Sequence, residues 1–261
     1  MPHAAAFFDL DKTLIEGSSA IHFGRASYKR GLMSRKDLVR SLVANVQYRL
    51  KGSTDEGTDR LRKEVLGAIE GVRVVDLARL GPEVLSTLLP RLYREVLDEA
   101  YAHQDAGRPA YIVTAASQEI AELLAHVLVL DGGIGVRSEV KDGVYTGRPD
   151  GPFTYREGKV DAMREVAERE NLDLSASYAY SDSESDLPMM RAVGHPVAVN
   201  PDAELQRVAH EEGWRVMRFD KLARRLRIAA SLGALTLVAG ATGYGADYVR
   251  SRRKRGVRRR F

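Results

Sequence analysis

An α/β fold built on a mostly parallel sheet is what this sequence predicts, and three observations carry that reading. Short apolar runs at Ala4–Phe8, Ala110–Val113, Tyr178–Tyr180 and Pro196–Val199 each stop abruptly at polar residues, as strands buried on both faces do. Stretches of helical periodicity separate the later runs, and strands alternating with helices need crossover connections that leave neighbouring strands parallel. The first and second runs are separated by a long segment with helical pattern and no strand signal, which reads as a helical cap inserted over the strand ends. The core is therefore expected over residues 1–16 and 108–220, the cap over 17–107, and a helical basic tail over 221–261.

In chain order, Ser18 or Ser19 is placed to cap a helix that runs to about Arg30 and stops at Gly31, and Ser34 to cap another that reaches about Leu50 before Gly52. Helical pattern continues through Thr58–Ile69 and Val74–Leu80, then from Pro82, a first-turn position, to about Gln104 before Gly107. After the strand Ala110–Val113, an apolar-faced helix spans Gln118–Leu130. Val136–Val140 and Val144–Thr146 flank Lys141-Asp142-Gly143, and Asp-Gly between two such runs signals a tight hairpin. Gly158-Lys159 opens a helix to about Glu170. The strand Tyr178–Tyr180 then leads into Ser181–Asp186 and a short helix containing Leu187–Ala192. A strand Pro196–Val199, a helix Ala203–Glu212 and a strand Trp214–Phe219 complete the core.

Composition narrows the function classes. With 44% hydrophobic residues in 261, the chain can fill a sizeable core, and with no cysteine it has no disulfide, thiolate metal site or cysteine nucleophile. Met1-Pro2-His3 lacks a basic region followed by an apolar stretch, so catalysis is expected in the cytoplasm. The net charge of +4 is unevenly placed, because Arg250–Arg260 is densely cationic. Just upstream, residues 228–246 carry no charge and are rich in Gly, Ala and Leu, with Arg224, Arg225 and Arg227 before them. An apolar stretch between two basic blocks reads either as a contact of 222–261 with an anionic membrane at its inner face, spanning it or lying on it, or as a helix packed on the core or a partner, with nucleic acid the less favoured partner.

The candidate chemistry begins at the end of the first strand, where Asp9 and Asp11 stand one residue apart. Alternation along an extended backbone would send both carboxylates to the same side, and like charges crowded at a strand end call for a cation. Magnesium, which takes a few carboxylate oxygens together with water and substrate phosphate, suits such a place. Ligands of parallel α/β sheets bind beyond the carboxyl ends of strands, where Thr114 and Ser181–Asp186 are also expected.

Asp9-Leu10-Asp11-Lys12-Thr13, Thr114 after its strand, Lys159 and Asp182-x-x-x-Asp186 occur in the order of the haloacid dehalogenase superfamily. Over roughly residues 5 to 220 the chain resembles its phosphoserine-phosphatase-like subfamily IB, through Ser181–Met190 and Gly194–Pro201 especially. The resemblance implies a Rossmann-like core with a helical cap, and a magnesium-dependent phosphomonoester hydrolase. Asp9 would be the nucleophile that forms an aspartyl-phosphate, and Asp11 would protonate the leaving alcohol and then take a proton from the hydrolytic water. Thr114 and the amides from Ala115 onward would hold phosphate oxygens, while Lys159 would neutralise nucleophile and phosphate. Asp9, Asp182 and the Asp11 carbonyl would hold Mg2+. Asp186 would either ligate the metal, stand behind it or cap the following helix. Lys12 reads as a solvated side chain. P-type ion pumps share Asp-Lys-Thr, but Leu14 stands where their signature needs glycine.

The resemblance leaves the substrate open between small-molecule and lipid-linked phosphomonoesters. Ser18 occupies the place where phosphoserine phosphatase carries a glutamate for the substrate amine, and no counterpart of its cap arginine is evident, so phosphoserine is disfavoured. Arg25, Tyr28 and Lys29 on the first cap helix are most simply a solvated face. His22, His103 and His126 lack metal-ligand spacing and are read as helix-face or core residues, and His195 as a turn residue before Pro196. Phosphotransfer to a second metabolite and a weakly active phosphate- or lipid-binding scaffold are the alternatives.

Overall fold

The computed structural model describes residues 3–34, 59, 62–63 and 65–219. The chain divides into two units, Met1–Met217 and Arg218–Phe261, and only Arg218 and Phe219 of the second are described. Residues 35–50 of the helix expected from Ser34 to Leu50, residues 58, 60, 61 and 64 of the one expected over Thr58–Ile69, and the tail 221–261 lie outside the described residues. Described elements follow in the order β1 (Ala6–Asp9), α1 (Ser19–Lys29), α2 (Val74–Ala78), α3 (Gly81–Leu88), α4 (Arg94–Asp105), β2 (Ala110–Ser117) and α5 (Gln118–Val127). Then come β3 (Gly132–Val136), β4 (Ser138–Lys141), β5 (Val144–Pro149), α6 (Glu157–Glu170), β6 (Tyr178–Ser181), α7 (Leu187–Arg191), β7 (His195–Val199), α8 (Ala203–Glu211) and β8 (Arg215–Met217).

The fold is α/β, as the sequence implies. Its described six-stranded sheet runs β3-β2-β1-β6-β7-β8, and every neighbouring pair is parallel. β1 lies in the middle, between β2 and β6, so successive crossovers leave it in opposite directions. A crevice opens at the carboxyl ends of strands wherever a sheet reverses its order in this way. Because side chains alternate along β1, Phe7 and Phe8 point to opposite faces, and both are fully buried. Phe7 stacks on Tyr111 at 5.6 Å in the layer formed with Met163 and Val166 of α6, whereas Phe8 stacks on Tyr180 at 4.4 Å towards His103 of α4. Each ring contributes about 3 kcal/mol of burial, which fixes the strand that carries Asp9.

The structure corrects three element boundaries. The single helix expected from Pro82 to Gln104 is broken into α3, a 3-10 turn at Leu89–Arg91, and α4. Pro90 has no amide hydrogen to continue the helix, and Leu92 and Tyr93 become extended. The extended pair bridges back to the loop after β1, with Ile15 opposite Leu92 and the Tyr93 amide donating to the Leu14 carbonyl at 2.9 Å. From there α4 packs on β1 and β2.

The second correction is β3, an edge strand that the sequence conceals. Gly132, Gly133 and Gly135 give it little apolar pattern, and Val136, expected to open the first strand of the hairpin, closes β3 instead, so that β4 begins at Ser138. The glycines are needed for close approach: a Cβ on Gly133 would lie 2.2 Å from the backbone of Ala121 in α5. The third is the end of α5, which stops at Val127 rather than Leu130, with Val129 at φ 57°. The hairpin forms as expected between β4 and β5, with Asp142 and Gly143 both at positive φ. The final strand is confined to Arg215–Met217.

Candidate active site

Asp9 is the last residue of β1, and its Cα pairs with that of Val113, so Thr114 stands one residue beyond it on β2. Across the other edge β6 ends at Ser181, and Asp182 follows. Lys159, in the first turn of α6, reaches this edge. Its Nζ lies 2.6 Å from Asp9 Oδ1 and 2.7 Å from Asp186 Oδ2. An exposed helix-start lysine is the commonplace reading of such a residue, but Lys159 is only 2% exposed. Ser181 donates its hydroxyl to the same Asp186 oxygen at 2.6 Å.

Asp186 occupies the N-cap position of α7 without capping it through its side chain, which removes the helix-cap reading. Its carboxylate is turned inward to Lys159 and Ser181, and its second oxygen is buried without a hydrogen-bond partner. Asp182 is also buried, and Lys12, at φ 61°, sends its ammonium to within 3.5 Å of it. Lys12 is thus partly engaged with the site rather than simply solvated. Sequence reasoning placed Ser181 at a strand end without giving it a role, and missed Asp202. The Asp202 side chain caps α8 through the Leu205 amide and accepts from the Glu184 amide, while its own amide donates to the Asp182 carbonyl. Asp202 therefore clamps the loop that presents Asp182 and Asp186. An aspartate three residues after a buried strand, just before a helix, is an ordinary cap in sequence, so no signal marked its second role.

Charge in this cluster is unbalanced, because Asp9, Asp182 and Asp186 are all buried while Lys159, paired with Asp9 and Asp186, is the buried ammonium beside them. Burial pushes Asp9 up to about 8; Lys159 pulls it down, and Asp186 and Asp182 push it up again. Asp182 is pushed up to about 6 by burial, with Lys12 opposing and Asp186 and Asp202 adding to the rise. For Lys159 burial acts downward, but Asp186 and Asp9 outweigh it and the ammonium titrates above its ordinary range.

Asp11 makes its side-chain bonds to the start of α1 rather than to the Lys159 cluster. Its Oδ2 accepts from the Ser18 hydroxyl at 2.9 Å and its Oδ1 from the Ser19 amide at 2.8 Å. Ser18, expected as a possible helix cap, makes no side-chain cap bond. Thr114 is buried inside β2 rather than at the helix start, and its Oγ1 accepts from the Ala116 amide at 3.1 Å, which leaves the hydroxyl hydrogen to donate. Ala115 follows it, ahead of α5.

Whether these residues suit the expected Mg2+ is a question of donor set. No cluster of three or more His, Cys, Asp or Glu arranged to hold a metal occurs among the described residues. Magnesium does not need one: one or two carboxylates plus water and phosphate suffice. Asp9 and Asp182 supply hard oxygen donors, both pushed up by burial and by neighbouring carboxylates, and the second Asp186 oxygen is buried without a partner among the described residues, so the donor set fits such an ion.

Two of the histidines are structural. His103 is buried with Nε2 2.9 Å from the Tyr180 hydroxyl, and Arg108 donates to its Nδ1 at 2.8 Å; burial, with Arg108 adding to it, lowers it to about 4. His195 opens β7 and stacks on Tyr178 instead of forming a turn. Of the residues noted on α1, Lys29 pairs with Glu83.

A family model described as haloacid dehalogenase-like hydrolase matches residues 6–191. The chain belongs to this family. It is 38% identical over 254 residues to phosphoserine phosphatase SerB1 of Mycobacterium tuberculosis, covering 96% of this chain and 81% of that protein. Similarity to a histidinol-phosphatase of Neisseria meningitidis is 32% over 219 residues, covering 82% of this chain and 98% of that one. Among solved structures, a protein of unknown function from Bordetella pertussis Tohama I superposes with a TM-score of 0.73 at 28% identity, over 83% of this chain and 99% of that one. The protein is thus an enzyme of the haloacid dehalogenase type, with relatives named as phosphatases.

Proposed function

We propose that the enzyme is a magnesium-dependent phosphomonoesterase that works through an aspartyl-phosphate on Asp9, with a small-molecule or lipid-linked ester as substrate. The observation that carries this reading is the buried Lys159 bridging Asp9 and Asp186 at the strand ends, beside Asp182. A buried ammonium on a carboxylate orients that carboxylate and offers positive charge to an incoming phosphoryl oxygen. Asp9 attacks phosphorus through one carboxylate oxygen as the ester P–O bond breaks, and Asp11 gives its proton to the departing oxygen. Asp11 then takes a proton from water as the water oxygen bonds phosphorus and the Asp9–phosphorus bond breaks, releasing phosphate. Thr114 and the amide of Ala115 steady the phosphoryl oxygens from β2.

A bound magnesium ion would supply charge neutralisation for those oxygens, held by the Asp9 and Asp182 carboxylates and the Asp11 carbonyl. In this reading Asp186 orients Lys159, and the segment from residue 17 to about Leu92 forms the cap. The relatives' names divide between phosphoserine and histidinol phosphate, and Ser18, a neutral group committed to Asp11, offers no counter-charge to a substrate amine.

The test is free phosphate released from phosphoserine, histidinol phosphate and lipid phosphates, with magnesium or with chelator. Release that stops in chelator and is lost in Asp9→Asn supports the reading. Full turnover in chelator, or near-normal turnover in Asp9→Asn, refutes it; phosphate appearing stoichiometrically on a second metabolite would make the enzyme a transferase. For 222–261 we propose attachment to an anionic membrane at the inner face, supported by the uncharged stretch 228–246 between basic blocks. Among the described residues no helix is long and apolar enough to cross a membrane, and 228–246 lies outside them.

A further inference from the structure

A serine at a helix N-cap ordinarily spends its oxygen as an acceptor for an amide two or three residues on. Ser18 holds that position, with extended backbone at φ −127° and ψ 124°, yet its side chain makes no such bond. It is 3% exposed and donates its hydroxyl to Asp11 Oδ2, while the neighbouring Ser19 amide donates to Asp11 Oδ1. Both carboxylate oxygens are therefore held from one helix end. A carboxylate held through one oxygen can pivot about that contact; one held through both cannot. The backbone of Asp11 is also tied, by a bridge to Ile15.

We propose that Ser18 is a positioning residue for Asp11: its hydroxyl locks the carboxyl group in the orientation from which the proton passes to the leaving oxygen. The inference rests on the acid–base role assigned to Asp11 above, and it accounts for a neutral hydroxyl at the place where the resembling subfamily carries a substrate-contacting glutamate. Each carboxylate oxygen retains a free lone-pair direction for the transferred proton. The step is the first half-reaction: the Asp9–phosphorus bond forms, the ester P–O bond breaks with its electron pair on oxygen, and the Asp11 proton caps that oxygen. Positional errors of about 1 Å at such a group lower rates by about 100-fold.

Leaving-group dependence separates this role from a merely structural one. Phenyl phosphate needs a proton on its departing oxygen far more than p-nitrophenyl phosphate does, and kcat/KM reports the steps through departure of that group. In Ser18→Ala, kcat/KM for phenyl phosphate should fall at least about 10-fold further than for p-nitrophenyl phosphate. Damage to the fold would lower both equally, since it only reduces the amount of active enzyme. Ser18→Gly, which preserves a favourable N-cap while removing the hydroxyl, should show the same unequal loss and serves if the alanine variant does not fold. Equal losses for the two esters, or none, would overturn the inference while leaving the phosphatase reading intact. If the unaltered enzyme cleaves neither ester, nor any in the panel above, it is the phosphatase reading that fails.

Discussion

Lys159 Nζ stands 2.6 Å from Asp9 Oδ1, and this one ammonium is also shared with Asp186 at 2.7 Å. The contact joins residues 150 apart in sequence and ties the first strand of the sheet to the start of α6. Removing it leaves two buried carboxylates facing each other without compensation. Lys159→Ala should therefore destabilise the fold by about 3–5 kcal/mol in urea unfolding, the usual consequence of breaking a buried pair from one side. Turnover should fall by at least about 100-fold in the fraction that remains folded. A variant as stable as the parent would show that the pair is solvated in solution.

The raised titration of Asp9, about 8 in the fold against an ordinary 3.8, makes a signed prediction about the metal-free protein. Between those values the folded state holds a proton that the unfolded state has released, so stability should decline as pH rises from about 4 to about 8. A divalent cation competes with that proton. Magnesium binding should release protons and tighten as pH rises from 6 to 9, measurable by calorimetry in buffers of different ionisation enthalpy. Affinity independent of pH over that range would exclude Asp9 from the metal site.

The ends of β1 and β6 were readable from the sequence because each apolar run stops at a polar residue, with Asp9 and Asp182 at those stops, whereas β2 continues past Thr114 to Ser117. Lys159 was readable only through motif order, since nothing local distinguishes a buried lysine from an exposed one at a helix start. Burial there comes from β1 and the 181–186 loop, which approach from far away in sequence. The roles of Ser181 and Asp202 were illegible for the same reason: their partners lie across the loop, and each has an ordinary local role. β3 was hidden because the residues that let α5 approach it, Gly133 and Gly135, are those that erase a strand's apolar signature.

Val129 offers a test of local strain. The Leu130 amide donates to the Ala125 carbonyl at 2.8 Å and the Val129 amide to the His126 carbonyl at 3.2 Å, the paired bonds that close a helix around a left-handed residue. Glycine normally takes that position. Here a β-branched residue holds φ 57° while 74% exposed, so its side chain has little packing to lose. Val129→Gly should leave turnover unchanged and raise stability by about 1 kcal/mol, the relief of left-handed strain less the added freedom of the unfolded chain. Loss of stability on this substitution would mean that the valine side chain has a partner.

Deletion of residues 222–261 addresses the tail through function. Every residue assigned to the chemistry, from Asp9 to Asp186, belongs to the compact unit Met1–Met217. Phosphatase activity on a soluble ester should therefore survive the deletion with kcat within about 3-fold of the full chain, an outcome within the usual spread for substitutions away from a site. Binding to vesicles behaves differently, because basic residues near an anionic surface contribute about 1 kcal/mol each and act only when present. The full chain should sediment with vesicles containing phosphatidylserine, do so less as salt rises, and lose this on deletion. If the full chain stays in the supernatant and the truncated one unfolds, the segment belongs to the folded core, and the membrane reading falls while the catalytic one stands.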